Sequence, residues 1–161
     1  MVCHGYIKIT GKTQGLISAG CSSQESIGNK GQSGHADEIM VLALTHSIAN
    51  IGNIKRATHS PIVISKHVDK SSPLLAQALS AREEINCVIN LYRTSMLGAL
   101  EVYFSIELKG AQLAELTFNV PDVVSHNDAE AQEQLAIRYQ SITWTHHVAG
   151  TSGYSMWEET E

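Results

Sequence analysis

Hydrophobic and polar residues alternate along most of this chain with a period of two, which is the pattern of half-buried β-strands. The clearest case is residues 100–109, where apolar residues from Leu100 to Leu108 form one face and mostly polar residues from Glu101 to Lys109 form the other. The pattern predicts further strands at residues 6–10, 16–17, 37–49, 61–68, 85–94, 116–120 (with Leu116, Phe118 and Val120 facing inward) and 135–144.

One stretch departs from this period and predicts a helix over about residues 73–83. Leu75 and Leu79 lie four residues apart, as do Leu74 and Ala78, which gives one apolar stripe on a short helix. Ser72 is predicted to cap the first turn with its hydroxyl, and Pro73 follows where a missing N–H costs nothing. No other stretch predicts a helix of comparable quality, so we expect one helix packed against many strands.

The longest apolar run, residues 37–49, predicts a strand with two unlike faces. The bulky face is expected in the core, and it carries Met40, Leu42, Leu44, His46 and Ile48. The other face is small and mildly polar, and it carries Val41, Ala43, Thr45 and Ser47. Such a face either packs against a neighbour or forms a surface along which another molecule passes.

Residues 20–35 contain four glycines, and Ile27 is almost their only apolar side chain. Because this segment cannot build a core, we predict a long exposed loop. Loops of this length are usually functional or mobile. Two interpretations stay open: a mobile surface excursion, which composition alone favours, and a contact arm that becomes ordered on meeting a partner.

The last predicted strand changes phase, because its apolar residues are odd-numbered up to Tyr139 and even-numbered from Ile142. A one-residue β-bulge near residues 140–141 would keep both sets pointing inward. Residues 150–153 are predicted to be a flexible end, and Trp157 in the acidic tail is either docked or free.

Several strands at short spacing, mostly antiparallel hairpins, together with one helix predict a mainly β fold, either a barrel or a sandwich. The chain shows no internal repeat and no second domain. Its 161 residues are enough for one domain, residues 1–161, with a substantial core.

Composition and charge narrow the function classes. Apolar content is 43% and charged content 17%, which indicates a globular chain. With 11 basic against 16 acidic residues and a net charge of −5, a nucleic-acid or anionic-membrane surface is disfavoured.

The first residues lack the basic and apolar regions of a secretory signal, and no apolar run could span a bilayer. We therefore expect a protein that stays inside or leaves by a route without a cleaved signal.

Cys3, Cys21 and Cys87 are an odd number and widely separated, so a disulfide framework is not expected and a reduced compartment fits better. Cys87 shares a strand face with Ile85 and Ile89, which predicts a small buried apolar group.

A search for catalytic chemistry yields no assignment. His146 and His147 are adjacent on a predicted strand, so their side chains point to opposite faces and cannot readily chelate one ion together. No zinc spacing, nucleophile elbow or phosphate-binding loop is present. We assign no catalytic, cofactor-binding or metal-binding residue, which favours a self-assembling or binding protein over an enzyme.

Residues 68–75, VDKSSPLL, followed by Ala78 and Leu79, resemble the strand-to-helix signature of the Hcp family, the tube proteins of the type VI secretion system. Five other stretches resemble the family in the same order: residues 6–9 (YIKI), 35–39 (HADEI), 92–94 (YRT), 142–146 (ITWTH) and 148–153 (VAGTSG). One departure is visible at residues 44–46, where many members carry aromatic residues and this chain has LTH.

The resemblance implies an antiparallel β-barrel with one flanking helix, assembled as a homohexameric ring. It implies rings stacked into a tube inside a contractile sheath, with partners that include the sheath, a tip protein and effectors carried in the lumen. It implies a bacterial cytoplasmic location during assembly, followed by secretion without a cleaved signal. No cofactor, nucleic acid or membrane insertion is implied.

The resemblance also suggests two functional surfaces. The loop at residues 20–35 matches the extended loop that packs ring against ring, and its contact residues are expected to be Ser26, Ile27, Asn29, Lys30, Gln32 and His35. We infer that the face with Val41, Ala43, Thr45 and Ser47 lines the lumen, where a smooth wall would bind cargo weakly enough to release it.

Two rival functions remain. The first is an enzyme, for instance a hydrolase, that uses His146 or His126 with nearby carboxylates. The second is a monomeric ligand-binding barrel, which a stable monomer would favour.

Overall fold

The computed structural model describes residues 4–28, 33–50, 52, 57–122, 124–125 and 130–157. Its strands are β1 His4–Gly11, β2 Gly15–Leu16, β3 Ile39–Val41, β4 Ala43–Thr45, β5 Ile48–Ala49, β6 Thr58–His59, β7 Ile62–His67, β8 Ile85–Thr94, β9 Leu100–Asn119, β10 Gln132–Arg138, β11 Ser141–His146 and β12 Thr151–Met156. Its helices are α1 Gln24–Ile27 and α2 Ser72–Ala81, with a short 3-10 helix at Ser33–His35.

All strand pairs are antiparallel, in the order β2-β1-β8-β9-β10-β7-β4, and β11 pairs with both β9 and β12. The 20-residue β9 joins two sheets, because its first part pairs with β8 and β11 and its second part with β10. On the other side, β3 pairs with β1 while β4 pairs with β7. In the described part of the chain no ladder joins β2 to β4, so hydrogen bonding does not fully close this mainly β, barrel-like fold.

The core lies between the two sheets and consists mainly of isoleucine and leucine. The helix α2 covers it with Leu75 and Ala78, the buried members of the predicted stripe. Pro73 lies in the first turn as predicted, but Ser72 does not cap the helix. Its hydroxyl instead accepts the backbone N–H of Asp69 at 3.0 Å, since α2 begins at Ser72 itself.

The prediction of one continuous strand over residues 37–49 is wrong, and so is the placement of Met40, Leu42 and Ile48 in the core. Leu42 is 39% exposed and Ile48 is 44% exposed. The chain crosses from one sheet to the other at Leu42, whose N–H donates to the carbonyl of Ser65 at 2.8 Å. The inward-facing set therefore changes there from Val41 to Leu44, both of which pack against the core.

Alternation also failed at the end of β9, where it placed Phe118 and Val120 inward. Leu116 does pack against the core, but Phe118 is 54% exposed and Val120 is 61% exposed. This end of β9 extends beyond the hydrophobic cluster, and the residue paired with Phe118 is the charged Glu133.

The predicted phase change near residues 140–141 is confirmed, since Tyr139 and Ile142 are both buried. The structure places it at a corner between β10 and β11, and not at a bulge inside one strand. At this corner Gly110 has φ 59°, and a Cβ built there would lie 2.6 Å from Oε1 and 2.8 Å from Cβ of Gln140. Glycine is therefore required here both by backbone conformation and by space.

The segment predicted to be a flexible end is a strand. β12 pairs with β11 over six residues, and Trp157 packs against the core. The N–H of Trp157 donates to the carbonyl of Gln140 at 2.8 Å, so the docked alternative for Trp157 is correct.

Candidate interaction surfaces

The loop at residues 20–35, called the arm below, leaves and rejoins the fold at one place. The N–H of Gly20 donates to Oδ1 of Asp37 at 3.0 Å, and the N–H of Ser22 donates to the carbonyl of Ala36 at 3.1 Å. The hydroxyl of Ser22 also donates to the carbonyl of Glu38. These bonds close the neck of the arm. Cys21 and Ser22 are buried, so this part of the predicted exposed loop belongs to the interior.

Beyond the neck, the arm forms α1 and contacts the turn before α2. The hydroxyl of Ser26 accepts the N–H of Lys70 at 2.8 Å, and Ile27 is half-buried. The sequence did not predict α1, because a four-residue helix carries too little periodicity to be recognised. Of the other predicted contact residues, Asn29, Lys30 and Gln32 lie outside the described residues.

His35 holds the returning end of the arm against the fold. Its ring stacks on Tyr6 with centroids 4.0 Å apart, and Tyr92 approaches its edge at 5.0 Å. Its Nδ1 lies 3.3 Å from Oε1 of Glu38. Burial, and next the charge of Glu38, raise the pKa of both tyrosines. The structure therefore gives His35 an intramolecular anchoring contact.

A buried charged cluster, which we call the Lys66 cluster, fixes the turn to which the arm is attached. Nζ of Lys66 lies 2.7 Å from Oε1 of Glu133 and 3.0 Å from Oδ1 of Asp69, and it donates to the carbonyl of His67 at 2.9 Å. The hydroxyl of Ser72 also donates to Oε1 of Glu133. Lys66 and Glu133 are both buried. The cluster was not predicted, although strand alternation places Lys66 in the buried row of β7.

The predicted lumen face is only partly preserved. Val41 packs against the core, whereas Ala43, Thr45 and Ser47 are exposed. Strand pairing extends this exposed surface across β7 and β10, giving an outer face of mostly small side chains. We call it the β4–β7–β10 face, and its members in register are Ala43, Thr45, Val63, Ser65, Gln134 and Ala136.

Of the two histidines proposed for catalysis, the structure describes His146. Nδ1 of His146 accepts the N–H of Ala149 at 3.1 Å, and Nε2 of His147 lies 2.7 Å from the hydroxyl of Ser105. His126 lies outside the described residues. Among the described residues there is no group of three or more His, Cys, Asp or Glu side chains that could hold a metal ion.

The second rival function, a ligand-binding barrel, requires a cavity that could hold a ligand. A partly open cleft of about 300 Å³ lies beside Gly110, Gln140 and Trp157, and its lining also includes Arg138. The guanidinium of Arg138 lies 5.9 Å from the centre of the Trp157 ring.

In the described part of the chain, no helix is both long and apolar enough to cross a membrane.

Comparisons with known proteins cover nearly the whole chain. A family model described as "Type VI secretion system effector, Hcp" matches residues 6–146. The chain is 36% identical to the "Major exported protein" of Pseudomonas aeruginosa, over 98% of this chain and 96% of that protein. A crystal structure of an Hcp protein covers 99% of this chain and all of its own with a TM-score of 0.91 and 32% identity. The secreted protein Hcp3 from Pseudomonas aeruginosa is similar, with a TM-score of 0.87 and 36% identity over 98% of this chain and all of that one.

Proposed function

Because this chain belongs to the Hcp family of type VI secretion proteins, we propose that it is a structural subunit of the secretion tube, without catalytic activity. The observation that carries the proposal is the full-length match to exported Hcp proteins in both sequence and fold. The proposal places the chain in the bacterial cytoplasm during assembly and outside the cell after expulsion. Its partners are further copies of itself, the sheath, a tip protein and the effectors that travel in the lumen.

We propose a homohexameric ring closed by heterologous contacts, in which one edge of each subunit meets a different edge of the next. Two unpaired edges support this arrangement. β12 pairs with β11 and β4 pairs with β7, and neither has a second partner among the described strands. Such edges are available for pairing with another chain.

We propose that the arm packs one ring against the next. Its closed neck and its attachment to Lys70 support this role, since they present the arm from a fixed base. Deleting residues 26–32 should leave rings intact and abolish stacking, as measured by sedimentation and electron microscopy. Ser26→Ala removes the bond to Lys70 but keeps the arm, so it should weaken stacking less than the deletion does. Rings that fall apart after the deletion would instead assign the arm to the ring interface.

We propose that the β4–β7–β10 face and Ser47 line the lumen, with Ala43, Thr45 and Ser47 exposed to cargo. Its mostly small side chains support this role, because they offer few apolar contacts that would hold cargo tightly. The test is to attach maleimide gold to a Thr45→Cys variant in a Cys3→Ser background. Averaged images should show gold at the ring centre, whereas Thr10→Cys on the opposite sheet should place gold at the periphery. The reverse pattern would assign the lumen to the other sheet.

A further inference from the structure

Two histidines at the base of the β5–β6 hairpin meet the C-terminal end of the chain. His46 lies two residues before β5, the first strand of this hairpin, and His59 is the last residue of β6. His59 is buried and His46 half-buried. Both rings approach the ring of Tyr139 at the β10–β11 corner, with a centroid distance of 5.4 Å for His59 and 6.4 Å for His46. Three separate parts of the chain, at His46, His59 and Tyr139, therefore meet in one aromatic cluster.

The hydrogen bond between Trp144 and His46 requires a neutral imidazole. Nε1–H of Trp144 donates to Nε2 of His46 at 3.2 Å, and an indole nitrogen is a donor only. Nε2 of His46 must therefore be unprotonated, which leaves the ring proton on Nδ1. That Nδ1 is buried and has no hydrogen-bond partner among the described residues. A second proton on His46 would remove the bond to Trp144.

His59 connects the hairpin to the C-terminal segment. Its Nδ1 lies 2.7 Å from the hydroxyl of Tyr139, and its Nε2 lies 3.0 Å from the hydroxyl of Ser155 on β12. Its ring also stacks on Trp157 with centroids 5.9 Å apart. This one side chain thus contacts the corner, β12 and the residue that follows β12.

The surroundings of the pair disfavour added positive charge. The groups that face the two rings from neighbouring elements are Tyr139, Trp144, Ser155 and Trp157, and the guanidinium of Arg138 lies over the Trp157 ring. No carboxylate in the described residues contacts either ring. Burial lowers the pKa of both histidines, and the charge of His59 lowers that of His46 further.

We propose that His46 and His59 form a proton-operated clasp, which holds the base of the β5–β6 hairpin and the end of the chain from β12 to Trp157 against the barrel and releases them on acidification. The folded chain binds fewer protons than the open one, so the closed clasp is fully stable above a pH of about 6.5, the ordinary histidine value. Its stability falls as the pH drops below that value towards the lowered values of the closed state. The clasp concerns one chain and stands whether or not the chain forms a ring.

The two tryptophans of the chain provide a direct readout, because both belong to the clasp. Trp144 contacts His46 and Trp157 contacts His59. Tryptophan emission of the purified chain is measured from about pH 8 to pH 5, together with hydrogen exchange of peptides covering residues 57–60 and 151–157. Exchange rates are corrected for their intrinsic pH dependence. Native mass at each pH shows whether assembly changes as well.

We expect a reversible change in emission below about pH 6.5, and corrected exchange in both peptides that rises by more than about threefold. Replacing both rings, in His46→Gln/His59→Gln, should abolish the pH dependence of emission and exchange. His147→Gln is the matched control, because this exposed ring contacts Ser105 and should leave the pH profile unchanged.

Two results would overturn the clasp. One is corrected hydrogen exchange in these peptides of the wild-type chain that does not change between about pH 7.5 and pH 5.5. This result would refute the clasp even if the double variant fails to fold. The other is a pH profile that persists in the double variant.

Discussion

The Lys66 cluster leads to a quantitative prediction about stability. Replacing the lysine in Lys66→Met removes the cation that lies 2.7 Å from Glu133 and 3.0 Å from Asp69. Ser71 still donates to Asp69 from its N–H and hydroxyl, and Ser72 still donates to Glu133. Two carboxylates with little solvent exposure would nevertheless be left without their counter-charge.

Breaking a buried ion pair in this way typically costs about 3–5 kcal/mol. The exposed fraction of the side chain is 0% for Lys66, 1% for Glu133 and 4% for Asp69, so solvent screening gives little relief. For a chain of this size the loss corresponds to a fall in melting temperature of roughly 10 °C. The assay is thermal and urea unfolding at equal protein concentration, since assembly would make the midpoint depend on concentration.

The matched control is Lys8→Met, which removes an exposed lysine from β1 and should change stability by at most about 0.5 kcal/mol. The double variant Lys66→Met/Glu133→Leu should recover part of the loss, because it removes one of the two carboxylates that Lys66→Met leaves without counter-charge, while Asp69 remains. The reasoning is refuted if Lys66→Met costs no more than Lys8→Met, or if the Glu133→Leu change only adds to the loss.

Two further predictions concern the corner and the thiols. Gly110→Ala should destabilise the fold by about 1–3 kcal/mol in a urea titration, because the new Cβ would lie on a left-handed backbone and too close to Gln140. Gly150→Ala should cost less in the same titration, because no atom lies within 4 Å of a Cβ built at Gly150. Burial raises the pKa of Cys21 to about 11 and of Cys87 to about 12, so at pH 8 a thiol reagent should modify at most one of the three cysteines in the native chain and all three after denaturation. Labelling of two or more thiols in the folded protein would contradict the burial of these residues.

Strand alternation predicted the regular parts of the fold because each of those strands keeps one face towards one core. This holds for β7, whose residues alternate without interruption from Ile62, and for β8 from Ile85. It failed at Leu42 and Phe118 for two different reasons. At Leu42 the chain crosses from one sheet to the other, and at Phe118 the strand extends beyond the hydrophobic core. Neither feature has a local signal in the sequence.

The candidate surfaces were less predictable, since they depend on contacts between distant residues. The closed neck of the arm joins Gly20 to Asp37, and the Lys66 cluster joins β7 to a glutamate 67 residues away. His46 was placed on the inward face correctly, but its partner Trp144 is 98 residues further along the chain. β12 was missed because its glycine and serine residues resemble a flexible end, although pairing with β11 orders them.

The most direct test of the proposed tube subunit is the native mass of the purified chain by light scattering, with negative-stain images of the same peak. The proposal predicts six times the 17.5 kDa chain mass, about 105 kDa, and a six-fold ring with an open centre. A stable 17.5 kDa monomer would contradict it, and the monomeric ligand-binding barrel would then become the leading function.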